Sequence, residues 1–264
     1  MSATWYCCRQ RAGPLVKECR ALRPRFAPDD TDADHAGKAE LKRKQNGTLD
    51  RKQVDRLELR LALIGRTALM YTLTFDSAHI PGDFRGVRRA LERFFKLVKR
   101  HRAACGKEPA FDYIYCIEGL HRRYHVHLIV DYNDISPAEM LPSESGDWPG
   151  LWRIGGVDVE YVLEPNRKVC LANNEVVEVD RSGFRRIAEY LNKERTDGFV
   201  IPIGRHPWSC SRSLRAKLPP PEKWKDSSGV IDVPRDAVWV RRGSVDNDWG
   251  AYYYASWIEP RSHN

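Results

Sequence analysis

Apolar residues recur along this chain with two different periods, and the periods predict where helices and strands lie. Between residues 50 and 64 the apolar positions are three or four apart, which predicts an amphipathic helix. Residues 67–75 (TALMYTLTF) are β-branched and aromatic and predict a strand, and 83–102 predicts a second helix. The apolar stripe of this second helix consists of Val87, Leu91, Phe94, Phe95 and Val98. Its other face carries several Arg and Lys residues, and is either solvated or a DNA contact.

The later elements indicate an α+β fold. Strands are predicted at 112–117, 124–131 and 156–163, then a hairpin at 168–180 that turns at Asn173-Asn174, a helix at 182–194 capped by Ser182, and a strand at 199–203. Adjacent strands with few crossover helices are typical of an antiparallel sheet that helices cover on one side. The strand at 112–117 is apolar on both faces, so we expect it at the centre of the sheet.

The two ends of the chain differ in composition from its middle. Residues 1–48 are rich in Arg, Asp and Pro with little periodicity, and we expect them to be loosely ordered. With the first helix they form a basic, partly disordered N-terminal extension at 1–66. The central domain is expected at 67–215. Three prolines at 219–221 predict a stiff break, and residues 216–264 form a tail of unknown role.

The charge balance favours a nucleic-acid partner. Among the 264 residues, Lys and Arg outnumber Asp and Glu by 44 to 36, which gives a net charge of +8. Positive charge attracts polyanions such as DNA, although a soluble protein without such a partner can have the same balance. The hydrophobic fraction of 42% excludes wholesale disorder.

The chain is expected in the cytoplasm, without a membrane partner. No apolar run reaches the roughly 18 residues that a membrane span needs, and the N-terminus lacks the apolar stretch of a signal peptide. Seven cysteines, an odd number, indicate reduced thiols. Cys7, Cys8 and Cys19 with His35 are a candidate zinc set, but their spacing fits no standard zinc finger.

The pair His125 and His127 carries the clearest chemical signal. Side chains alternate along a strand, so both imidazoles emerge on one face while Val126 points into a core. Glu118 ends the preceding strand, within reach across a short turn. Two imidazoles and a carboxylate suit Mg²⁺, Mn²⁺ or a heavier divalent ion. The alternative is a pair of histidines on a solvated strand edge.

Tyr190 lies on the helix predicted at 182–194. Lys193 is one turn later on the same helix face and Arg186 one turn earlier, whereas Ile187 and Leu191 can anchor the helix to the core. A phenol is a poor nucleophile near neutral pH unless nearby cations favour the phenolate. A Tyr with a Lys three residues later is also a common amphipathic pair, so it becomes informative only together with the histidines.

Three segments in this order resemble the motifs of HUH endonucleases. They are 71–75 (YTLTF), Glu118 with 125–130 (HVHLIV), and 190–193 (YLNK). The chain is most similar to the single-tyrosine initiators of rolling-circle replication from small phages and plasmids, over about residues 67–215. The segment 208–214 (WSCSRSL) is similar to one that follows the tyrosine helix in many of these proteins.

The resemblance implies an RRM-like, or ferredoxin-like, five-stranded antiparallel sheet with the histidines on a central strand and the tyrosine on a facing helix. It implies that Glu118, His125 and His127 hold the divalent ion on the scissile phosphate, with His121 an alternative to Glu118. It also implies that Tyr190 attacks this phosphate, which leaves a 5′-phosphotyrosyl link and a free 3′-hydroxyl that primes replication.

The resemblance further implies which residues contact DNA and which partners are needed. Lys193 would position or neutralise the phosphate. Further DNA contacts are expected from Arg122, Arg123, Arg186 and Arg212. The partners would be single-stranded DNA at a replication origin and the polymerase and helicase of the host. A helicase is needed because the sequence contains no G-x-x-x-x-G-K-[ST] loop, and hence no site for a nucleotide cofactor.

Two other interpretations stay open. A plasmid-mobilising relaxase or a transposase of the same class would share the nicking chemistry, although relaxases commonly have their tyrosine ahead of the histidines. An RRM-like protein without catalytic activity would instead bind single strands by stacking bases on Tyr113, Tyr115 or Tyr124.

Overall fold

The computed structural model describes residues 4–22, 51–65, 67–119, 123–161, 167–170, 176–179, 183–192, 208–237, 239–247 and 250–259. The strands, in chain order, are β1 (Trp5–Ala12), β2 (Leu15–Leu22), β3 (Ala68–Thr74), β4 (Tyr113–Glu118), β5 (His125–Asp131), β6 (Val157–Tyr161), β7 (Arg167–Cys170), β8 (Val176–Val179), β9 (Trp208–Cys210), β10 (Glu222–Asp226), β11 (Trp239–Asn247) and β12 (Gly250–Ile258). The helices are α1 (Arg51–Ile64), α2 (Phe84–Ala104), α3 (Pro137–Met140), α4 (Gly183–Tyr190) and α5 (Arg212–Lys217).

The strands form two five-stranded antiparallel sheets, which confirms the α+β fold class and is compatible with a ferredoxin-like arrangement. We call the sheet with strand order β6-β3-β5-β4-β9 the histidine sheet, because the paired histidines lie on β5, its central strand. The sheet with order β10-β1-β2-β12-β11 is the terminal sheet, because its strands come from both ends of the chain. β7 and β8 form the predicted hairpin. The strand expected at the centre, 112–117, is β4, one position from the centre.

Helices cover both faces of the histidine sheet. The even-numbered residues of β5 point to one face and share a buried cluster with the apolar stripe of α2. Ile129 points to the other face, where it shares a cluster with α1 and α4. The prediction that helices cover one side of the sheet is therefore wrong. His125 and His127 give the second face of β5 a polar pattern in the sequence, but His127 and Ile129 on that face are buried.

The terminal sheet joins the two ends of the chain. β1 pairs with β2 and with β10, and β2 also pairs with β12. Residues 5–22 are therefore strands, and the expected loose order of 1–48 is wrong for this part. Buried Glu18 accepts hydrogen bonds from Arg9 and Arg20, so charges that look solvent-exposed in the sequence are paired within the fold.

The candidate zinc set is divided by the same strands. Cys8 and Cys19 lie opposite each other on β1 and β2 and share one face of the terminal sheet. Cys7 is the next residue on β1, so it points to the other face, where it lies in a buried cluster with Trp5. Thiols on two faces of a sheet cannot surround one ion, and the zinc prediction is therefore wrong for these three cysteines.

The helix α1 lies between the two sheets. Its Val54, Leu57 and Leu61 are fully buried. They share one cluster with Leu15 and Ile258 of the terminal sheet, and with residues of the histidine sheet and of α4. The helix that carries the candidate nucleophile is therefore packed on α1 as well as on the histidine sheet.

Some predictions lie outside the described residues. They are the strand at 199–203, the Asn173-Asn174 turn, the Ser182 cap, and everything that rests on the side chains of His35, His121, Arg122 and Lys193. Among the described helices, none combines the length and the apolar character needed to cross a membrane.

Candidate metal centre and tyrosine helix

The strand register brings the three candidate ligands to one face of the histidine sheet. Glu118 on β4 lies directly opposite His125 on β5, and His127 is two residues further along β5 on the same face. The turn between the strands begins at Gly119, whose φ is +79°. A Cβ atom there would lie 2.0 Å from the carbonyl oxygen of Arg123. Glycine is therefore required for the two strands to meet this closely.

The ligand atoms converge on one point. The Nε2 atoms of His125 and His127 lie 3.5 Å and 3.4 Å from Oε2 of Glu118. The three residues are the only group of His, Cys, Asp or Glu in the described part of the chain whose ligand atoms all lie within 4.8 Å of one another. Neighbouring ligands of an octahedral Mg²⁺ ion lie about 3 Å apart, so only small movements would complete the site.

Each imidazole is oriented through its other nitrogen. Nδ1 of His127 lies 3.2 Å from Oγ1 of Thr72, the residue opposite it on β3. Nδ1 of His125 lies 3.4 Å from the carbonyl oxygen of Arg123. A hydrogen on Nδ1 that is donated to these oxygens leaves the lone pair of Nε2 directed at Glu118. Metal-binding histidines are typically held in this way.

The donor set fits a metal ion. His127 is 4% exposed, and its Nε2 atom is buried without a hydrogen-bond partner among the described residues. Burying such an atom unsatisfied costs about 1–3 kcal/mol, a cost that a bound ion removes. The side chain of His125 is 30% exposed, so the site is open to solvent on its side. Two imidazoles and one carboxylate leave coordination positions for a substrate oxygen.

Tyr190 lies beside these ligands. Its ring centroid is 5.5 Å from that of His127, and the two rings meet edge to face. Tyr190 is 39% exposed, so a substrate can reach it. Ile187 and Leu191 are buried, which confirms the predicted core side of the helix. The thiol of Cys116 on β4 donates to the carbonyl oxygen of Leu191 at 3.5 Å, which ties the end of the helix to the histidine sheet.

An ion-pair network around the buried residues Arg185 and Glu58 joins the tyrosine helix to α1. Arg185 on α4 donates to Asp55 at 2.7 Å, to Glu58 at 3.3 Å and to Glu189 at 2.6 Å. Lys17 of the terminal sheet donates to the same Asp55 and Glu58. Burial opposes the charge on Asp55, but the adjacent Lys17 and Arg185 outweigh it and lower the pKa of the Asp55 carboxyl. Burial also opposes the charge on Arg185, and its carboxylate partners outweigh it and raise the pKa of the guanidinium.

Replacing Arg185 by Met is expected to lower the free energy of unfolding by about 3 kcal/mol, because buried Glu58 loses one of its two cations. Urea unfolding followed by circular dichroism measures the change. Arg186→Met is the matched control, since the neighbouring Arg186 is exposed and its loss should change the stability by at most about 0.5 kcal/mol. Equal effects of the two substitutions would contradict the anchoring role of Arg185.

The described residues that are expected to contact DNA lie on three different elements. Arg123 is exposed in the turn before β5, and its guanidinium donates to the carbonyl oxygen of Phe75. Arg186 on α4 and Arg212 on α5 are both exposed. Contact of these residues with DNA stays a prediction.

The tyrosines considered for base stacking do not form an open surface. Tyr113 stacks on Phe95 of α2 with ring centroids 4.1 Å apart, and Tyr115 lies 6.0 Å from the same ring. Both, together with Tyr124, pack against the buried cluster beneath α2. The prediction of base stacking at these positions is wrong because α2 covers this face of the sheet.

The segment that carries the site matches one protein-family model. Residues 68–194 match the family model of replication-associated protein ORF2. The match begins at the first residue of β3 and ends just after the tyrosine helix, so it contains all three candidate ligands, Tyr190 and Lys193. It supports a role as a replication initiator. All five strands of the terminal sheet lie outside it. No curated protein and no solved structure matches the chain.

Proposed function

We propose that the protein starts rolling-circle DNA replication by nicking one strand at an origin, in a reaction that requires a divalent metal ion. The observation that carries the proposal is the convergence of Glu118, His125 and His127 beside Tyr190. The similarity of this segment to replication-associated proteins supports the same conclusion. An ion site next to an accessible phenol suits the transfer of a DNA phosphate to tyrosine.

In this proposal Glu118, His125 and His127 hold Mg²⁺ or Mn²⁺ against the scissile phosphate. The bound ion supplies positive charge that polarises the phosphodiester. The phenolic oxygen of Tyr190 forms a bond to phosphorus as the bond between phosphorus and the 3′ oxygen breaks. The phenol releases its proton to water, and the departing 3′ oxygen takes one up. The products are a 5′-phosphotyrosyl link and a free 3′-hydroxyl, which primes synthesis.

The same residues serve strand transfer at the end of a round. A 3′-hydroxyl then attacks the phosphotyrosine, the phosphate passes to that oxygen, and Tyr190 is released. Positively charged residues near the site position the strand through its phosphates rather than reading its sequence. In this proposal they are Lys193, Arg122, Arg123, Arg186 and Arg212.

The proposal also requires partners. Unwinding a duplex consumes a nucleoside triphosphate, and the sequence contains no phosphate-binding loop of the G-x-x-x-x-G-K-[ST] type. The helicase, like the polymerase that extends the 3′-hydroxyl, therefore comes from the host.

The test is to incubate the whole protein with a pool of single-stranded oligonucleotides and Mn²⁺, and to analyse the protein by mass spectrometry after protease digestion. We expect a nucleotide joined through a 5′ phosphate to the peptide that contains Tyr190, and no such adduct with EDTA. Sequencing the linked strands gives the preferred site. Cleavage that leaves no covalent adduct, or an adduct on another residue, would refute the proposed nucleophile.

A further inference from the structure

The terminal sheet has two faces of different character. Because side chains alternate along each strand, the register assigns every residue to one face. One face contains the buried residues Trp5, Cys7, Ala251, Ala255 and Trp257. The opposite face packs against α1 at one end. Its other end carries the exposed side chains of Tyr6 and Tyr252, and we call this part the tyrosine platform. It is defined by Tyr6, Tyr252, Tyr254, Lys223, Lys225 and Arg241.

The register places two tyrosines and a lysine in one row across the platform. Tyr6 on β1 lies opposite Ala21 on β2, and Ala21 lies opposite Tyr252 on β12. Lys225 on β10 lies opposite Tyr6 on its other side. Adjacent strands are about 4.8 Å apart, so the small Ala21 separates two aromatic side chains by roughly 10 Å. Tyr254 is two residues from Tyr252 and on the same face.

Two of the three rings are exposed, and Tyr254 is half-buried. Tyr6 is 46% exposed and Tyr252 is 42% exposed. The ring of Tyr254 lies on Gly243, where a Cβ atom would come within 2.3 Å of the ring, and its centroid is 6.2 Å from that of Tyr252. Large aromatic side chains that cluster on an open sheet face often mark a binding surface.

Cations flank the rings, and a carboxylate near them, Asp55 of α1 beside Tyr252, is paired with Lys17 and Arg185. Nζ of Lys225 lies 5.5 Å from the ring centroid of Tyr6, and the guanidinium of Arg241 lies 5.5 Å from that of Tyr254. Lys223 is exposed on the same face. All carboxylates of the five strands in the described residues belong to the opposite face; they are Glu18, Glu222, Asp226 and Asp246.

We infer that the tyrosine platform binds single-stranded DNA, with bases stacked on Tyr6, Tyr252 and Tyr254 and phosphates beside the flanking cations. Sheets that bind single strands combine open aromatic side chains for the bases with positive charge for the backbone. A surface that has both, and whose strands carry no carboxylate on this face, complements a polyanion that carries flat bases. The choice of DNA over RNA rests on the proposed function.

The platform gives the strand a second point of attachment. Lys17, on the same face of β2, belongs to the ion-pair network that holds α4 and Tyr190. A strand held on the platform is tethered to the protein that carries the nicking site, which raises its effective concentration there.

The experiment measures the binding of fluorescent thymidine 15-mers to the whole protein by anisotropy, in EDTA so that no cleavage occurs. The double substitution Tyr6→Ala and Tyr252→Ala is expected to raise Kd by roughly 100-fold, because each stacked base is lost independently. Tyr6→Phe with Tyr252→Phe keeps both rings and should keep the affinity. Tyr132→Ala, at an equally exposed tyrosine outside the platform, is the matched control and should change Kd less than twofold.

A second measurement tests the cations. Lys225→Gln with Arg241→Gln should lower the slope of log Kd against log salt concentration by about 1.4, which corresponds to two phosphate contacts on a single strand. Unchanged DNA affinity in the variant with Tyr6→Ala and Tyr252→Ala would refute binding at the platform. An equally large loss of affinity in Tyr132→Ala would refute it as well. Tighter binding of a uridine 15-mer overturns the assignment to DNA. Failure to form an adduct at Tyr190 would remove the nicking proposal while these binding results could still hold.

Discussion

Tyr190→Phe is expected to abolish the covalent protein–DNA adduct, by at least about a thousandfold, because the variant has no phenolic oxygen to bond to phosphorus. Binding of single-stranded DNA should survive, since the ring and its contact with His127 are kept. The adduct is measured as a shifted band on a denaturing gel with a labelled oligonucleotide, and binding by anisotropy with the same strand.

Tyr132→Phe is the control for this substitution, because Tyr132 has a similar exposure but lies at the end of β5 away from the ligands. It should form the adduct at the rate of the unmodified protein. Both variants should keep the unfolding free energy within about 0.5 kcal/mol. An adduct of normal yield in Tyr190→Phe would show that another residue is the nucleophile.

His127→Ala is expected to weaken Mn²⁺ binding by at least about 100-fold. The substitution removes one of the three ligands, the one whose imidazole is oriented by the contact of its Nδ1 atom with Thr72. Titration calorimetry measures this without any DNA. Mn²⁺ at 100 times its Kd should stabilise the unmodified protein by about 2.7 kcal/mol, and this gain should be lost in the variant. Nicking should fall in parallel, as it should with EDTA.

Two further substitutions make the metal prediction specific. Thr72→Val keeps all three ligands but removes the oxygen beside Nδ1 of His127, and should cost about 10- to 100-fold in Mn²⁺ affinity. His79→Ala removes an exposed histidine that pairs with Asp76, outside the ligand group, and should cost nothing. If His79→Ala weakens Mn²⁺ binding as much as His127→Ala does, the ion is bound elsewhere.

The sequence predicted the central elements because their periods come from burial. The apolar stripe of α2 is buried and its opposite face is exposed, and every second residue of β5 is an apolar residue that packs beneath α2. The two histidines were found for the same reason, since alternation on a strand is enough to place residues 125 and 127 together, whereas Glu118 was inferred from its position just upstream of them. What these residues bind and what Tyr190 does stay predictions for the experiments above.

The sequence did not predict the terminal sheet. Its pairs β1–β10 and β2–β12 join residues more than 200 positions apart, and its charges are neutralised by partners that no local pattern identifies. Arg20, for example, donates to Asp226. The platform could not be predicted either, because Tyr6 and Tyr252 come onto one face of the sheet only through the pairing of β2 with both β1 and β12. Thr72 and Arg185 were missed as well. In the sequence Thr72 is an ordinary strand residue, and only the strand register shows that it lies opposite His127. Arg185 resembles a surface arginine in the sequence, and only the fold shows that it pairs with α1.

The sequence by itself therefore determined the fold class, four strands of the histidine sheet and the position of His125 and His127 on one face, each of which follows from periodicity over a few consecutive residues. The tertiary structure decided which side chains orient those ligands, how Tyr190 is held beside them, and that both ends of the chain build a second sheet with an open aromatic face. These depend on contacts between distant segments, whose free energy is set by burial and charge pairing across the whole fold.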